Sequence, residues 1–390
     1  MLHHSFPRAQ VLVRVLSLAL LGVVLALTSA VAAGNKAPYV VGAVFDITGP
    51  ASPLGTPERD TVKMLEAKIN AKGGIDGHPL KVIIYDNASE EDKCVMAVKK
   101  LIESDKVIAI IGPSQTGTTL AAAATVEAAK IPLVSCAAGI NIVQPVKPWI
   151  FKTAQSDVAA VAKVMDYLKA KKLQRIAVIS VSNAFGDSGK KQIGLQAPGA
   201  KVEVIAQESF GDKDTDMTAQ LLKIKAKNPQ AVICWGTNPG PALIAKNMKM
   251  LGMTMPLIMS HGVANRKFIE LAGDASNGVI FPAGRLLVVD EISKTDPQRK
   301  TLQTYAADFK AEFNREADTF GGHAYDALLL VVNALDKVGP NPQKIRAELE
   351  KAKLTGISGV FKMTAADHNG LGKDAFVMVK IVNGDWKLMK

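Results

Sequence analysis

The residues best placed to do chemistry sit in five small-residue loops, Thr48–Leu54 (TGPASPL), Gly112–Thr118 (GPSQTGT), Ser135–Asn141 (SCAAGIN), Ser182–Ser188 (SNAFGDS) and Gly236–Gly240 (GTNPG). Each follows a short apolar run and precedes a helical pattern, where hydroxyls and backbone N–H groups can approach a ligand closely. Gly112–Thr118 is the best anion site. Its Ser114, Thr116 and Thr118 precede a helix whose dipole favours a carboxylate by about 0.3–1 kcal/mol. It is not a phosphate loop, since the G-x-x-x-x-G-K-[ST] spacing and its lysine are missing, and the glycines of Gly186-Asp-Ser-Gly189-Lys190 are too close together to wrap phosphates. No G-x-G-x-x-G follows a strand, so no dinucleotide cofactor is expected, nor any other cofactor.

Signatures of catalysis are missing as well. The chain has no G-x-S-x-G elbow, no H-E-x-x-H and no C-x-x-C, so catalytic residues are not expected. Asp212, Asp214 and Asp216 imitate the start of a calcium loop, but Met217 stands where the glycine belongs and Lys223 where the bidentate glutamate belongs. They are read as starting and capping the helix that follows, and no metal site is expected. Two histidines stand out: His261 ends the apolar run before Gly262, and His323 opens a helix after Gly321-Gly322.

The elements that must position these loops alternate along the chain. Apolar runs at Val40–Phe45, Val82–Tyr85, Val107–Ile111 and Leu133–Ser135 form one set of strands; Ile176–Val181, Val202–Ala206, Ala231–Trp235 and Leu257–Ser260 form another. Thr56-Pro57 is read as a helix N-cap with proline in the first turn, and Gly73-Gly74 as the helix stop. Continuous apolar strands alternating with helices indicate an α/β protein with parallel-rich sheets covered on both faces. Two sets, separated near residue 155, indicate two Rossmann-like lobes with a cleft between them, where ligands of such folds bind.

Composition narrows the class. The chain has 390 residues, of which 48% are hydrophobic and 21% charged, which excludes a solvated coil. Arg8 and Arg14 precede the uncharged run Val15–Leu27, and Ala30-Val31-Ala32 supplies a small-residue cleavage site, so residues 1–32 read as a secretory signal peptide. Losing those two arginines lowers the net charge from +11 to +9. The expected compartment is the periplasm, where an odd count of three cysteines leaves at least one free thiol, while pairing of Cys94 with Cys136 stays open. The lysines scatter over helix faces such as Lys163–Lys172 and Lys223–Lys227 without aromatic interleaving, so nucleic acid is not an expected partner.

The chain resembles the periplasmic substrate-binding proteins of branched-chain-amino-acid-type ABC transporters, the leucine/isoleucine/valine-binding group with a type I binding-protein fold. The matching stretches are Val41–Pro50, Ile69–Ile75, Val82–Asp86, Ile110–Pro113, Ile131–Ser135, Ala184–Gly186, Asn228-Pro229, Leu271–Gly273 and Ala324–Asp326, in the family's order. The resemblance implies a monomer that captures a small amino acid or organic acid and delivers it to ABC permease subunits, without catalysis. It also implies three crossovers, near residues 155, 284 and 340–355. Lobe 1 is then 37–154 with 285–340, and lobe 2 is 155–284 with 355–390.

By the same resemblance, Thr116 and the Ala137-Ala138-Gly139 segment grip the ligand carboxylate. Phe185 supplies an aromatic wall, Thr237 lies on a cleft loop, and Trp235 is a second wall or core. At His261 the chain departs from the family's amino-acid binders, which carry an acid there for the α-ammonium. Histidine removes that counter-charge, so an apolar or aromatic carboxylate is the expected ligand, with His261 and Arg285 as polar partners. The alternatives are a ligand-sensing receptor subunit of the same fold and an exported α/β hydrolase.

Overall fold

A computed structural model describes Met1 and residues 36–389, so the expected signal peptide lies, apart from Met1, outside the described residues. The first sheet contains β1 (Tyr39–Phe45), β2 (Leu80–Asp86), β3 (Ile110–Ile111), β4 (Leu133–Ser135) and β5 (Ile150–Lys152), ordered β2-β1-β3-β4-β5 with every pair parallel. Helices α1 (Ser52–Ala71), α2 (Glu91–Glu103) and α3 (Thr116–Ala129) connect successive strands.

After β5 the chain passes through α4 (Asp157–Ala170) into a second sheet. Its parallel part is β6 (Arg175–Val181), β7 (Glu203–Phe210), β8 (Ala231–Trp235), β9 (Leu257–Met259) and β10 (Ile280–Ala283). These are joined by α5 (Ala184–Gln196), α6 (Thr218–Ala226), α7 (Gly240–Met250) and α8 (Arg266–Ala272). Then follow α9 (Arg299–Phe313), α10 (Thr319–Val338), α11 (Pro342–Leu349) and the small hairpin β11 (Lys353–Thr355) and β12 (Val360–Lys362). Two antiparallel strands, β13 (Val377–Val382) and β14 (Asp385–Leu388), complete the order β14-β13-β10-β9-β8-β6-β7. The α/β class with parallel-rich sheets in two lobes is the architecture expected.

The first helix begins earlier than Thr56-Pro57 indicates. It starts at Ser52, uses Pro53 in its first turn, and carries Pro57 inside. Proline at 57 removes the N–H that would bond the Pro53 carbonyl. Asn265 Nδ2, from the cap of α8, takes that carbonyl instead at 3.0 Å.

After β10 the chain packs apolar side chains against both sheets. Leu286, Val288, Ile292, Leu302 and Phe309 pack into the core of the second sheet with Phe281 and Val379. Ala324, Leu328 and Val331 of α10 pack under the first sheet, and Phe361 and Met363 remain there. Ile357 shares the second-sheet cluster as well, and Phe376 joins the core of that lobe further along, so the apolar side chains after β10 serve both sheets. Cys94, Cys136 and Cys234 are all buried free thiols.

Candidate ligand site between the lobes

Both sheets aim the carboxyl ends of their parallel strands at one cavity of about 130 Å³, lined from the first lobe by Leu54, Ser114, Thr116, Ala137 and Ala138 and from the second by Phe185, Thr237 and His261. About 10–15 Å³ of such volume holds one water, so the space suits a ligand of about ten heavy atoms. Thr116, Ala137, Ala138, Phe185, Thr237 and His261 are thus brought together. Gly139 lies just behind, and Arg285 is not brought in.

The first-lobe wall begins at Gly112, whose φ of +84° and close approach to β1 require glycine: a β-carbon there would lie 2.1 Å from the Val44 carbonyl oxygen. This turn leads to α3, whose first residue is Thr116 and whose N-terminus has no side-chain cap. The first amides of the helix therefore face the cavity unspent. Gly139 N–H donates to Thr116 Oγ1 at 3.2 Å, which leaves the Thr116 hydroxyl proton for a ligand acceptor. Ala137 N–H is spent on Ser135 Oγ at 3.1 Å. Of the three amides expected to hold a carboxylate, two are thus engaged within the protein, and the Ala138 N–H is the one left facing the cavity.

Behind this wall lies a buried polar cluster. Asp46 N–H donates to Ser114 Oγ at 3.0 Å, and Ser114 Oγ is in hydrogen-bond contact with Glu58 Oε2. Asp46 and Glu58 are both fully buried. Burial pushes the Asp46 carboxyl up to about 7 and holds Glu58 well above the usual carboxylate range.

In the second lobe, Asn183 caps α5 by accepting from Phe185 N and Gly186 N at 3.0 and 3.1 Å, which sets Phe185 into the cavity. Trp235 stands behind it as core: it is fully buried, its ring 5.8 Å from that of Phe185. His261 presents its ring among the edges of Phe185, Trp235 and Phe376, at centroid distances of 5.6, 5.9 and 5.3 Å. Neither of its ring nitrogens has a hydrogen-bond partner among the described residues. Burial, with Lys152 nearby, drives its pKa down to about 3, so the imidazole is neutral.

Arg285 is occupied elsewhere, with Nε 2.9 Å from Asp296 Oδ2 and a further bond to Gln298. A partly desolvated guanidinium is held by its carboxylate. Sequence reading missed Phe320, Glu91 and Asp212 as cavity residues. Asp212, read as part of a helix start, instead accepts from Asn183 Nδ2 at 3.0 Å; only Asp216 of that trio bonds the start of α6, through Thr218. His323 also lines the cavity, with Nδ1 2.8 Å from Ser358 Oγ, and burial lowers its pKa to about 3. Among the described residues no group of three or more His, Cys, Asp or Glu is arranged to hold a metal ion, and no helix is long and apolar enough to cross a membrane.

Residues 38–385 match the family model described as periplasmic binding protein. The Leu/Ile/Val-binding protein of Escherichia coli K12 is 28% identical over 86% of this chain and 92% of its own. An extracellular ligand-binding receptor from Rhodopseudomonas palustris HaA2 superposes with a TM-score of 0.86 at 27% identity, covering 91% of this chain and all of that one. A solute-binding protein of an ABC transporter from Rhodopseudomonas palustris BisB5, solved with 3,4-dihydroxybenzoic acid, shares the fold at a TM-score of 0.77 and 20% identity, over 90% and 95% of the two chains. All three are named for binding a ligand or solute.

Proposed function

The chain belongs to the periplasmic binding protein family, and from that premise we propose that it captures an apolar or aromatic carboxylate between its lobes for delivery to ABC permease subunits. The observation that carries the ligand class is His261, buried, uncharged and, among the described residues, without a partner at either ring nitrogen. A neutral imidazole in an aromatic box offers one donor and one acceptor to a polar ring substituent and no counter-charge to an ammonium group. The carboxylate lies at the opposite wall, against the uncapped start of α3, the Thr116 hydroxyl and the Ala138 amide. Phe185 and Phe320 cover the apolar body.

In this reading residues 1–32 direct the chain to the periplasm and are removed. The lobes close as a hinged monomer about the segments that join them. The test is calorimetric titration with benzoate, 4-hydroxybenzoate and leucine. Micromolar or tighter binding of an aromatic acid is expected, with leucine at least about tenfold weaker, a difference of about 1.4 kcal/mol. Tight leucine binding without response to the aromatic acids overturns it.

One observation favours a second reading, an α-amino acid. Glu91 and Asp212 lie on the cavity wall and supply the negative charge that His261 does not. Under that reading Asp212→Asn abolishes leucine binding and leaves benzoate binding in place.

A further inference from the structure

The buried carboxyl of Glu58 has no cation partner among the described residues and no part in holding the fold's ladders, yet it touches a hydroxyl on the ligand cavity wall. We propose that Glu58 is a positioning residue that makes the cavity selective for anions: when protonated it donates to Ser114 Oγ and thereby commits the Ser114 hydroxyl proton to a ligand carboxylate. The inference rests on the carboxylate reading above and deepens it.

The hydrogen-bond count forces the choice. Ser114 Oγ accepts the Asp46 N–H at 3.0 Å, and its other protein contact is Glu58 Oε2. A hydroxyl has one proton and two lone pairs. If Glu58 is ionised, it takes the Ser114 proton, and the cavity is offered only the serine's remaining lone pair, which repels an anion. If Glu58 is protonated, it fills the second lone pair of Ser114, and the serine proton has only the cavity to point into. One buried proton thus sets whether the wall donates to or repels a carboxylate.

The surroundings favour the protonated form. Glu58 is fully buried on α1, and the ionisable groups facing it are acids: Asp46 from β1, Asp318 from the cap of α10, and the Cys136 thiol after β4. Its helix neighbours Arg59 and Asp60 pair with each other, with Arg59 Nη2 2.7 Å from Asp60 Oδ1. Desolvation and the two aspartates both disfavour charge on Glu58. A bound carboxylate adds further negative charge, so binding and protonation of Glu58 are linked.

The experiment is benzoate titration by calorimetry from about pH 6 to about pH 9, in buffers of different ionisation enthalpy. Wild type is expected to take up a proton on binding, with Kd rising by up to about tenfold per pH unit where unliganded Glu58 ionises. Glu58→Gln, whose amide N–H donates permanently, is expected to bind without proton uptake and to hold its pH 6 affinity to pH 9. Ser114→Ala is expected to lose about tenfold or more in affinity at pH 6 and to lose the slope. Asp46→Asn is expected to keep the slope. Benzoate binding by wild type with no proton uptake, or the same slope in Glu58→Gln, overturns the assignment while leaving the ligand reading intact. No response of wild type to benzoate or 4-hydroxybenzoate defeats the ligand reading and this inference with it. Where Glu58→Gln does not fold, the Ser114→Ala slope decides. Infrared spectra of the unliganded protein give a separate readout: wild type at pH 7 is expected to show a protonated-carboxyl band that Glu58→Gln lacks, and equal bands overturn the proposal.

Discussion

Asn265 Nδ2 donates to the Pro53 carbonyl at 3.0 Å, joining a helix cap on the second lobe to the first turn of α1 on the first. The acceptor is free because Pro57, one helical turn on, has no N–H to give it. Asn265 is itself held by Asn238, whose Nδ2 lies 3.3 Å from Asn265 Oδ1. The bond spans the cleft, so it exists only where the lobes lie together. Asn265→Ala is therefore expected to weaken ligand binding by about fivefold, the worth of about 1 kcal/mol for one hydrogen bond, while the melting temperature without ligand stays unchanged. Calorimetry and thermal unfolding measure the two quantities. A lower melting temperature with unaltered affinity would make the bond a fold contact instead of a closure contact.

Gly189 supports the aromatic wall from behind. A β-carbon at this position of α5 would lie 2.1 Å from Trp235 Nε1, and Trp235 is fully buried beneath Phe185. In an open helix face, alanine for glycine gains up to about 1 kcal/mol. Here the overpacking wins, and Gly189→Ala is expected to cost about 1–3 kcal/mol in urea unfolding and to lower ligand affinity as Phe185 shifts. Equal or greater stability would show that the indole can move aside.

The strands with β-branched runs, such as Ile176–Val181 and Ala231–Trp235, were legible because parallel strands buried on both faces leave an uninterrupted apolar signature. Six strands were not, and three of them show why. Ile150–Lys152 is only three residues long and ends in a buried lysine, Ile280–Ala283 contains Pro282, and Val377–Val382 is an antiparallel strand with an alternating pattern. The loops of the site could be placed because the carboxyl ends of parallel strands share one edge. Phe320 and His323 could not: they sit on α10, whose route to the cleft depends on where the chain recrosses, and local sequence does not encode that; Glu58, on α1, carries no local sign that its carboxyl is buried. The Arg285 expectation met the same obstacle, since its partner Asp296 lies in a turn that only the packing of α9 brings near.

His261 also fixes how stability should respond to acid. Its pKa falls from about 6.5 unfolded to about 3 folded, so the unfolded chain binds a proton that the folded one refuses. The stability contributed by the neutral ring is complete above pH 6.5 and is lost as pH falls through that window toward 3. Buried Asp46, Asp318 and Asp326, raised to about 7, act with the opposite sign between about pH 4 and 7, so the whole-protein profile mixes both. A difference measurement separates them. The gap in melting temperature between wild type and His261→Gln is expected to shrink, or turn in the variant's favour, as pH drops from 7 to 4. A constant gap would mean that the ring is hydrated or paired in the folded protein.

The same position decides which ligands the cavity accepts. His261→Glu puts a carboxyl into the box formed by Phe185, Trp235 and Phe376, where burial disfavours its charge unless a cation enters with it. Leucine brings an ammonium group and benzoate does not. The variant is therefore expected to gain at least about tenfold in leucine affinity, rising with pH as the new carboxyl ionises, and to lose benzoate binding as the pocket turns anionic. Parallel titrations of wild type and variant with both compounds measure this exchange. If leucine affinity is unmoved while benzoate binding persists, His261 does not face the ligand's polar end, and the counter-charge position lies instead toward Asp212 and Glu91.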